Sequence, residues 1–308
     1  MRFPTKGMTT VIAALLFVAA GFMHACGQKD PYADIDPAKI IGQVQLPPLS
    51  GSGQVLPAKG KAADRTNRKI SARKPPTGDV DTKLPDFSKY TNIQKKKTEF
   101  FNFLRPIIRK ENWRVLKQRA YVLQQWKRFQ EGREITPEAI ERLKQLAENY
   151  RVDKELSAGT EFFRKMLIHV DKIPVELALI QAAKESAWGT SYFAQKGNNL
   201  FGQWCFNKGC GMVPRRRPEG ATYEVQSFDD VSESARAYIR NLNSHPAYRE
   251  LRIQRYRMRL AGGEPTGHNM AKGLEQYSEI GMAYVKTVRQ MIRGNQKFMG
   301  IHGESGDM

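Results

Sequence analysis

Between residues 92 and 155, apolar side chains recur at the spacing of helices rather than of strands. Repeats of three and four residues place such side chains on one helix face, which then packs against a core. The first series is interrupted near Pro106, and the third opens with the capping pattern Thr136-Pro137. We therefore predict three helices packed on the domain that follows. The three apolar series are Phe100, Phe101, Phe103, Leu104, Ile107 and Ile108; Trp113, Leu116, Ala120, Leu123 and Trp126; and Ile140, Leu143, Leu146 and Tyr150.

A second group of helices is predicted within residues 157–297, the main domain of the chain. Asp230 and Glu233 have the spacing of a capping box at the start of one of these helices. Alternating polar and apolar residues over 222–228 predict a strand. The domain is therefore expected to be mainly α with one small β element. The predicted helices cover 162–170, 174–189, 231–242, 248–259 and 274–292.

The helix predicted from Pro174 to Gly189 carries Glu185 close to its end. Proline suits a first helical position, and glycine readily takes the left-handed conformation that ends a helix. The helix is apolar on nearly every side, which is typical of a buried helix. Burial and the negative end of the helix dipole both disfavour a charged Glu185. A protonated carboxyl group suits a general acid, although a surface or ion-paired glutamate has the same spacing.

The first 25 residues have the pattern of a secretory signal. A short basic start precedes an apolar run that is too short to favour a membrane span. Cys26 follows Ala25 in a pattern that resembles a bacterial lipobox, which implies cleavage before Cys26 and its lipidation. Simple secretion and an uncleaved membrane anchor are the alternatives, and all three export the chain. Gly27 in place of an aspartate favours the outer membrane, facing the periplasm.

Residues 26–88 are dominated by proline, glycine, serine and basic residues, and apolar residues are isolated. Such a segment cannot bury enough surface to offset its chain entropy, so we predict a disordered linker. It would tether a lipid anchor to a domain that reaches the cell wall. The helical segment then covers 89–156, and residues 298–308 are predicted to form a flexible tail.

The formal net charge of +19 comes from 50 lysines and arginines against 31 acidic residues. A field of this sign attracts anionic polymers and surfaces. For an exported chain these are lipid headgroups and the carboxylates of peptidoglycan, so we do not expect nucleic acid as a partner. No cofactor is predicted.

Cys205 and Cys210 are the cysteines that remain once Cys26 is assigned to the anchor. In an oxidising compartment, two cysteines at this spacing are expected to close a small disulfide loop. A zinc site is the alternative, but it needs two further ligands, and the histidines show no matching spacing. We therefore predict no metal site.

The stretch ALIQAAKESAWGTSYFAQKGNNLFG resembles the glucosaminidase domain of glycoside hydrolase family 73, in its Bax-type bacterial form. The resemblance covers about residues 155–295. It implies a lysozyme-like α+β fold and cleavage of β-1,4 bonds that follow N-acetylglucosamine in peptidoglycan. The matching segments are Glu185–Gly189, Gly197–Gly202, Gln203–Cys205, Gly209–Gly211, Tyr223–Val225 and Ala237–Asn243.

The resemblance implies roles for individual residues. Glu185 matches the catalytic acid of the family, and Tyr277 resembles its cleft tyrosine, while Tyr284 is expected in the core. A second carboxylate in this family often comes from a β lobe. Glu224, on the predicted strand, is our first choice, and Glu219, in the preceding turn, is the second. Pairing of Glu224 with a nearby arginine is the structural alternative.

The resemblance also implies contacts with substrate. The amides of Asn198 and Asn199 can bond to N-acetyl and hydroxyl groups, and Phe201 can contact a sugar face. Loop capping by Asn199 and core packing by Phe201 are the alternatives. Trp188 and Trp204 are the remaining predicted substrate contacts.

Taken together, these features predict a peptidoglycan hydrolase, an endo-β-N-acetylglucosaminidase with Glu185 as general acid. Muramidase or lytic transglycosylase cleavage of the same polymer is one alternative, and a non-catalytic wall-binding lipoprotein is another. Carboxylates about 5 Å apart indicate retention, and a separation of about 6.5–9.5 Å indicates inversion. Attack by the acetamide of the substrate itself is a third course. The sequence does not choose among them.

Overall fold

A computed structural model describes Val44, Leu46 and residues 80–155, 159–215 and 217–301. The predicted signal, Cys26 and most of the predicted linker lie outside the described residues. No helix in the described part of the chain has the length and apolar character needed to cross a bilayer.

The described residues form a mainly helical domain with one small antiparallel sheet, which confirms the predicted lysozyme-like α+β class. Short 3-10 helices occur at Phe87–Lys89, Pro246–Tyr248 and Ala271–Tyr277. The α-helices are α1 Ile93–Gln130, α2 Pro137–Asn149, α3 Thr160–His169, α4 Val175–Glu185, α5 Tyr192–Gly197, α6 Val231–Ser244, α7 Arg249–Leu260, α8 Gly267–Met270 and α9 Met282–Met299. The strands are β1 Trp204–Cys205, β2 Gly211–Met212 and β3 Glu224–Gln226.

Helix α1 runs for 38 residues and contains Pro106 in its interior. The prediction of three helices before the main domain is therefore wrong, because the first two apolar series belong to one helix. An internal proline costs about 3 kcal/mol, whereas burying each large apolar side chain contributes roughly 1.5–3 kcal/mol. Leu104, Ile107 and Ile108 flank the proline and are fully buried. Their packing outweighs the lost hydrogen bond and keeps the helix continuous.

Helix α1 lies at the centre of the domain and packs against α3, α4, α6 and α9. Its side chains share one hydrophobic core with those of the later helices. The amide of Asn112 on α1 donates to the carbonyl of Ile173 at 2.7 Å and accepts from the Ile173 N–H at 2.9 Å. This pair of bonds fixes the start of α4, the helix that ends at Glu185, against α1.

Two segments assigned from sequence to the linker and the tail also pack on this core. Phe87 is buried with its ring 5.4 Å from that of Phe100. The carbonyl of Thr82 accepts a bond from the N–H of Val231 at 3.3 Å. At the other end, α9 continues to Met299, and Ile301 is buried.

The sheet has the order β1-β3-β2, and both pairings are antiparallel. The strand predicted over 222–228 is shorter, at Glu224–Gln226, and pairs with two strands of two residues each. In the register, Trp204 lies opposite Val225 and Cys205 opposite Glu224. Because strand side chains alternate, Trp204 and Glu224 lie on opposite faces of the sheet.

Helix α6 begins with one of the two bonds of the predicted capping box, while the returning bond reaches the residue before the cap. The carboxylate of Asp230 accepts from the N–H of Glu233 at 2.9 Å. The Glu233 carboxylate in turn accepts from the N–H of Asp229 at 3.1 Å. The cap fixes where α6 starts, and the helix then carries Tyr238 into the core close to α4.

Candidate active site

Helix α4 ends at Glu185, four residues before the predicted stop at Gly189. The hydroxyl of Ser186 donates to the carbonyl of Ala182 at 2.6 Å and accepts from the N–H of Gly189 at 2.8 Å. Ala187, Trp188 and Gly189 all have positive φ, of 50°, 60° and 76°. Such backbone is uncommon for residues with a Cβ and persists only where the surroundings enforce it. The tight turn holds Glu185 at the end of a buried helix.

The side chain of Glu185 is 24 % exposed, so its carboxyl group is reachable from solvent but mostly enclosed. The hydroxyl of Tyr284 donates to its Oε1 at 2.9 Å, and the Nζ of Lys184 lies 3.8 Å from the same oxygen. Burial raises the pKa of Glu185, while the Tyr284 bond and the Lys184 charge oppose that rise. Burial has the largest effect on the pKa, and it disfavours the charged form of a carboxyl group. Glu185 therefore retains its proton at a higher pH than an exposed glutamate.

Tyr284 links Glu185 to a buried chain of hydrogen bonds across three helices. The hydroxyl of Tyr238 on α6 donates to Oε1 of Gln181 on α4 at 2.6 Å. The Nε2 of Gln181 donates to the Tyr284 hydroxyl on α9 at 3.1 Å, and Tyr284 donates onward to Glu185. All three partners behind Glu185 are almost completely buried. The sequence predicted Tyr284 only as a core residue, and its contact with Glu185 was missed.

Tyr277 lies next to this chain rather than on Glu185 itself. Its hydroxyl donates to the carbonyl of Phe201 at 2.9 Å. Its ring stacks on that of Tyr284 with centroids 5.3 Å apart. Burial raises the pKa of Tyr277 well above its usual value, so the phenol stays neutral. A catalytic role for Tyr277 stays a prediction.

The loop after α5 passes beside Glu185. A Cβ added to Gly202 would lie 4.0 Å from the Oε2 of Glu185. Asn198, with φ of 51°, donates to the carbonyls of Phe228 and Asp229 at 3.0 and 3.1 Å. These bonds attach the loop to the segment that precedes α6.

Asn199 is buried within the same loop and uses its whole amide to hold it. Its nitrogen donates to the carbonyls of Gln203 and Gln226, each at 2.8 Å. Its oxygen accepts from the N–H groups of Phe201 and Gln203. Phe201 is buried and stacks on Tyr238 with centroids 4.0 Å apart. The structure therefore shows loop capping by Asn199 and core packing by Phe201. Glycan contact by Asn198, Asn199 or Phe201 stays a prediction.

The two tryptophans predicted as substrate contacts lie in different surroundings. Trp188 packs edge-on against Phe100 and Phe101 of α1, at 5.7 and 5.3 Å. Trp204 is partly exposed and stacks on Tyr223 with centroids 4.3 Å apart. The ring of Trp188 therefore faces α1, and that of Trp204 lies on the small sheet against Tyr223. Substrate contact by either tryptophan stays a prediction.

Cys205 and Cys210 form a disulfide that closes a loop between β1 and β2. Their sulfurs and the carboxylate of Glu224 lie within 4.8 Å of one another. Metal binding at cysteine needs a free thiolate, and these sulfurs are bonded to each other, so the cluster does not fit a zinc site.

Glu224 holds this disulfide loop through both carboxylate oxygens. One oxygen accepts from the N–H of Gly209 at 3.0 Å and the other from the N–H of Gly211 at 2.9 Å. These bonds lower the pKa of Glu224, which therefore stays ionised. Glu219 is exposed in the turn before β3. A direct catalytic role for either carboxylate stays a prediction.

Glu224→Gln is expected to loosen the loop, because an amide nitrogen cannot accept a bond from Gly209 or Gly211. Misplacing a group by about 1 Å can cost about 100-fold in rate, so we expect turnover of peptidoglycan to fall by about 10- to 100-fold. Amide hydrogen exchange at Gly209 and Gly211 should accelerate in parallel. Glu219→Gln is the control and should change neither. If Glu224→Gln lost turnover while amide exchange stayed unchanged, Glu224 would take part in the chemistry directly. If only Glu219→Gln lost turnover, Glu219 would be the second catalytic carboxylate.

Comparisons with known proteins show the family to which this chain belongs. The family model described as mannosyl-glycoprotein endo-beta-N-acetylglucosaminidase matches residues 162–297. The chain is also 33 % identical over 219 residues to the protein named Protein bax from Escherichia coli (strain K12), an alignment that covers 71 % of this chain and 77 % of the relative. The chain therefore belongs to the glucosaminidase family as a Bax-type member. No solved structure matches it significantly.

Family membership supports a general role in glycan hydrolysis. The matched region begins in α3 and ends in α9, so it contains α4 with Glu185, the Gly197–Gly202 loop and the sheet. Helices α1 and α2 precede it, and α1 nevertheless contributes to the same core.

Proposed function

We propose that this protein is a peptidoglycan hydrolase that cleaves β-1,4 bonds after N-acetylglucosamine, with Glu185 as general acid. The observation that carries the proposal is the enclosed carboxyl group of Glu185, whose pKa burial raises and whose Oε1 is held by Tyr284. A general acid must be protonated when substrate arrives and must be reachable by it. Burial raises the pKa of Glu185, which favours its protonated form, and its partial exposure leaves it reachable.

In the proposed reaction, Glu185 donates its proton to the glycosidic oxygen as the bond to the sugar breaks. The carboxylate that results is stabilised by the Tyr284 hydroxyl and by the ammonium group of Lys184, which also lies over the Tyr284 ring at 4.8 Å. Hydrogen bonds to a charged acceptor are stronger than those to a neutral one, so this support increases as the proton leaves. The anomeric carbon of the sugar is bonded in the end to a water oxygen, and the proton that this water loses passes to a carboxylate. Water attacks either directly, or after the second carboxylate or the substrate acetamide has bonded to that carbon and is then displaced.

Contact with the sugar is proposed for the stacked pair of Trp204 and Tyr223. Both rings are partly exposed; Trp204 lies on β1, after the Gly197–Gly202 loop, and Tyr223 lies directly before β3. Aromatic rings supply large apolar contact area with specific geometry, which suits the apolar face of a pyranose.

Mass spectrometry of products from digested sacculi tests the proposed bond. Release of fragments with a reducing N-acetylglucosamine end supports it. A reducing muramic acid end would assign a muramidase, and an anhydro-muramic acid end a lytic transglycosylase. Binding to sacculi without release would assign a wall-binding protein that is not catalytic.

We also propose that the protein is held at the outer membrane, facing the periplasm, through a lipid on Cys26. The net charge of +19 favours retention near anionic headgroups and peptidoglycan. Cys26→Ser should release the protein from the detergent-extracted membrane fraction. The variant lacks the lipid chain, which contributes about 0.8 kcal/mol per buried methylene group to membrane binding. Unchanged fractionation of the variant would contradict a lipid anchor at this position.

A further inference from the structure

The two oxygens of Glu185 have different surroundings. Oε1 accepts from the Tyr284 hydroxyl at 2.9 Å and lies 3.8 Å from the Nζ of Lys184. Among the described residues, no hydrogen bond reaches Oε2, which lies towards Gly202, where the missing side chain leaves space. One oxygen is thus held by the protein and the other remains open.

The direction of the hydrogen bond to Oε1 is set by groups behind it. Tyr238 donates to the carbonyl oxygen of Gln181, so the Gln181 amide directs its nitrogen towards Tyr284. Because that nitrogen only donates, the Tyr284 oxygen must accept, and its own proton points to Oε1 of Glu185. Gln181, Tyr238 and Tyr284 are almost completely buried, so water does not compete for these bonds.

We propose that the buried chain Tyr238–Gln181–Tyr284 fixes Oε1 of Glu185 as the acceptor, so that Oε2 carries the proton delivered to the glycosidic oxygen. The inference rests on the proposed function. Gln181 and Tyr238 are positioning residues, since they act through Tyr284 and are enclosed away from substrate. When the proton leaves Oε2, the electron pair of that O–H bond stays on Glu185, and the pair of the broken sugar–oxygen bond stays on the leaving oxygen.

Few other groups near the Glu185 carboxyl group can stabilise it, so the chain of hydrogen bonds is its main support. Among the described residues, Lys184 is the charged group beside it, and its ammonium also approaches Oε1 rather than Oε2. The remaining titratable groups near the carboxyl group are phenols with raised pKa values, which stay neutral where the enzyme would act. They are Tyr238 on α6, Tyr248 at the end of a 3-10 helix, Tyr277 and Tyr284.

Two variants test the chain: Gln181→Met, which keeps the length of the side chain but removes its polar atoms, and Tyr238→Phe, which removes one oxygen. In both variants, the Tyr284 hydroxyl no longer has to direct its proton to Glu185. The Glu185 carboxylate therefore loses part of the hydrogen bond that stabilises its charged form. We expect the alkaline limb of the pH profile of kcat/KM to move upward by about half a unit to one unit. We expect kcat to fall by about tenfold with KM unchanged, because only the proton transfer is impaired.

Carbon-13 NMR titration of the Glu185 carboxyl carbon, assigned by its loss in Glu185→Gln, measures the same shift without turnover. Tyr248→Phe is the matched control, since it removes a buried phenol oxygen beside Tyr277 that lies outside the chain. It should leave both titrations unchanged. If Gln181→Met does not fold, Tyr238→Phe decides alone.

An unchanged pH profile and unchanged carboxyl titration in folded Gln181→Met or Tyr238→Phe would overturn the inference. A shift of equal size in Tyr248→Phe would overturn it too, because the effect would then belong to core packing. If the wild-type protein releases no fragments from sacculi, the proposed function fails, while the NMR titration still tests the hydrogen-bond chain separately.

Discussion

Glu185→Gln is expected to lower the release of fragments from sacculi by about 100- to 10,000-fold, the usual contribution of a positioned general acid. Glutamine has nearly the same shape and can still accept the Tyr284 hydroxyl bond through its carbonyl oxygen. It has no acidic proton to give to the glycosidic oxygen. The loss should therefore appear in kcat, while binding of glycan and the melting temperature stay close to those of the wild-type protein.

Turnover of purified sacculi by wild-type and variant protein at equal concentration measures this effect, and thermal unfolding verifies the fold. Glu250→Gln is a matched control, because Glu250 is exposed on α7 and pairs with exposed Arg257 at 3.8 Å. It should leave turnover unchanged. Wild-type rates in a folded Glu185→Gln protein would end the catalytic assignment of Glu185.

Asp171→Asn is expected to lower the free energy of unfolding by about 3–5 kcal/mol, the usual cost of removing one partner of a buried ion pair. Asp171 is 1 % exposed and lies between α3 and α4. Arg259 makes two bonds to it, at 3.0 and 3.1 Å. Arg119 of α1 and Arg255 of α7 approach within 3.7 and 3.9 Å. Neutralising the carboxylate leaves three buried guanidinium groups without their common counter-charge.

The same carboxylate makes stability depend on pH at the acid end. Burial alone would raise the pKa of Asp171, but the charges of Arg119, Arg259 and Arg255 outweigh it and hold the pKa well below the usual 3.8. Because the folded-state pKa is depressed, the stabilising contribution is fully present above the unfolded value and is lost as the pH falls below about 3.8 towards the folded one. Asp171→Asn should therefore flatten the acid limb of stability.

Urea unfolding at a series of pH values measures both effects of Asp171. Glu148→Gln is the control, since Glu148 is exposed and pairs with exposed Lys154 at 3.0 Å. An exposed ion pair contributes little, so this variant should unfold like the wild-type protein. Equal stability of Asp171→Asn and wild-type protein would show that the arginines find other partners.

The position of Glu185 could be predicted because it depends on local spacing. Apolar repeats, a proline at the start and a glycine after the end bracket one buried helix, and the carboxylate lies in its last turn. The helix stops at Glu185 rather than near Gly189, because the Ser186 hydroxyl caps it and the chain turns through three residues with positive φ. That turn is held by tertiary packing of Trp188 on α1, which no local pattern encodes.

The contact between Tyr284 and Glu185 joins positions 99 residues apart, so spacing gave no indication of it. The pair Tyr277 and Tyr284 was visible in the sequence, but which phenol reaches the carboxylate depends on how α9 lies against α4. The continuous α1 was missed for a similar reason. Pro106 indicates a break locally, and only burial of its neighbours on both sides overrides that preference.

The sequence by itself determined the mainly helical class, the small strand, the disulfide between Cys205 and Cys210, and the burial of the helix that carries Glu185. Each of these follows from short-range periodicity or from residue type. The tertiary structure decided which groups face that carboxylate and which of its oxygens stays open. These depend on hydrogen bonds between α4, α6 and α9, whose partners are far apart in the chain and meet only when the shared core forms.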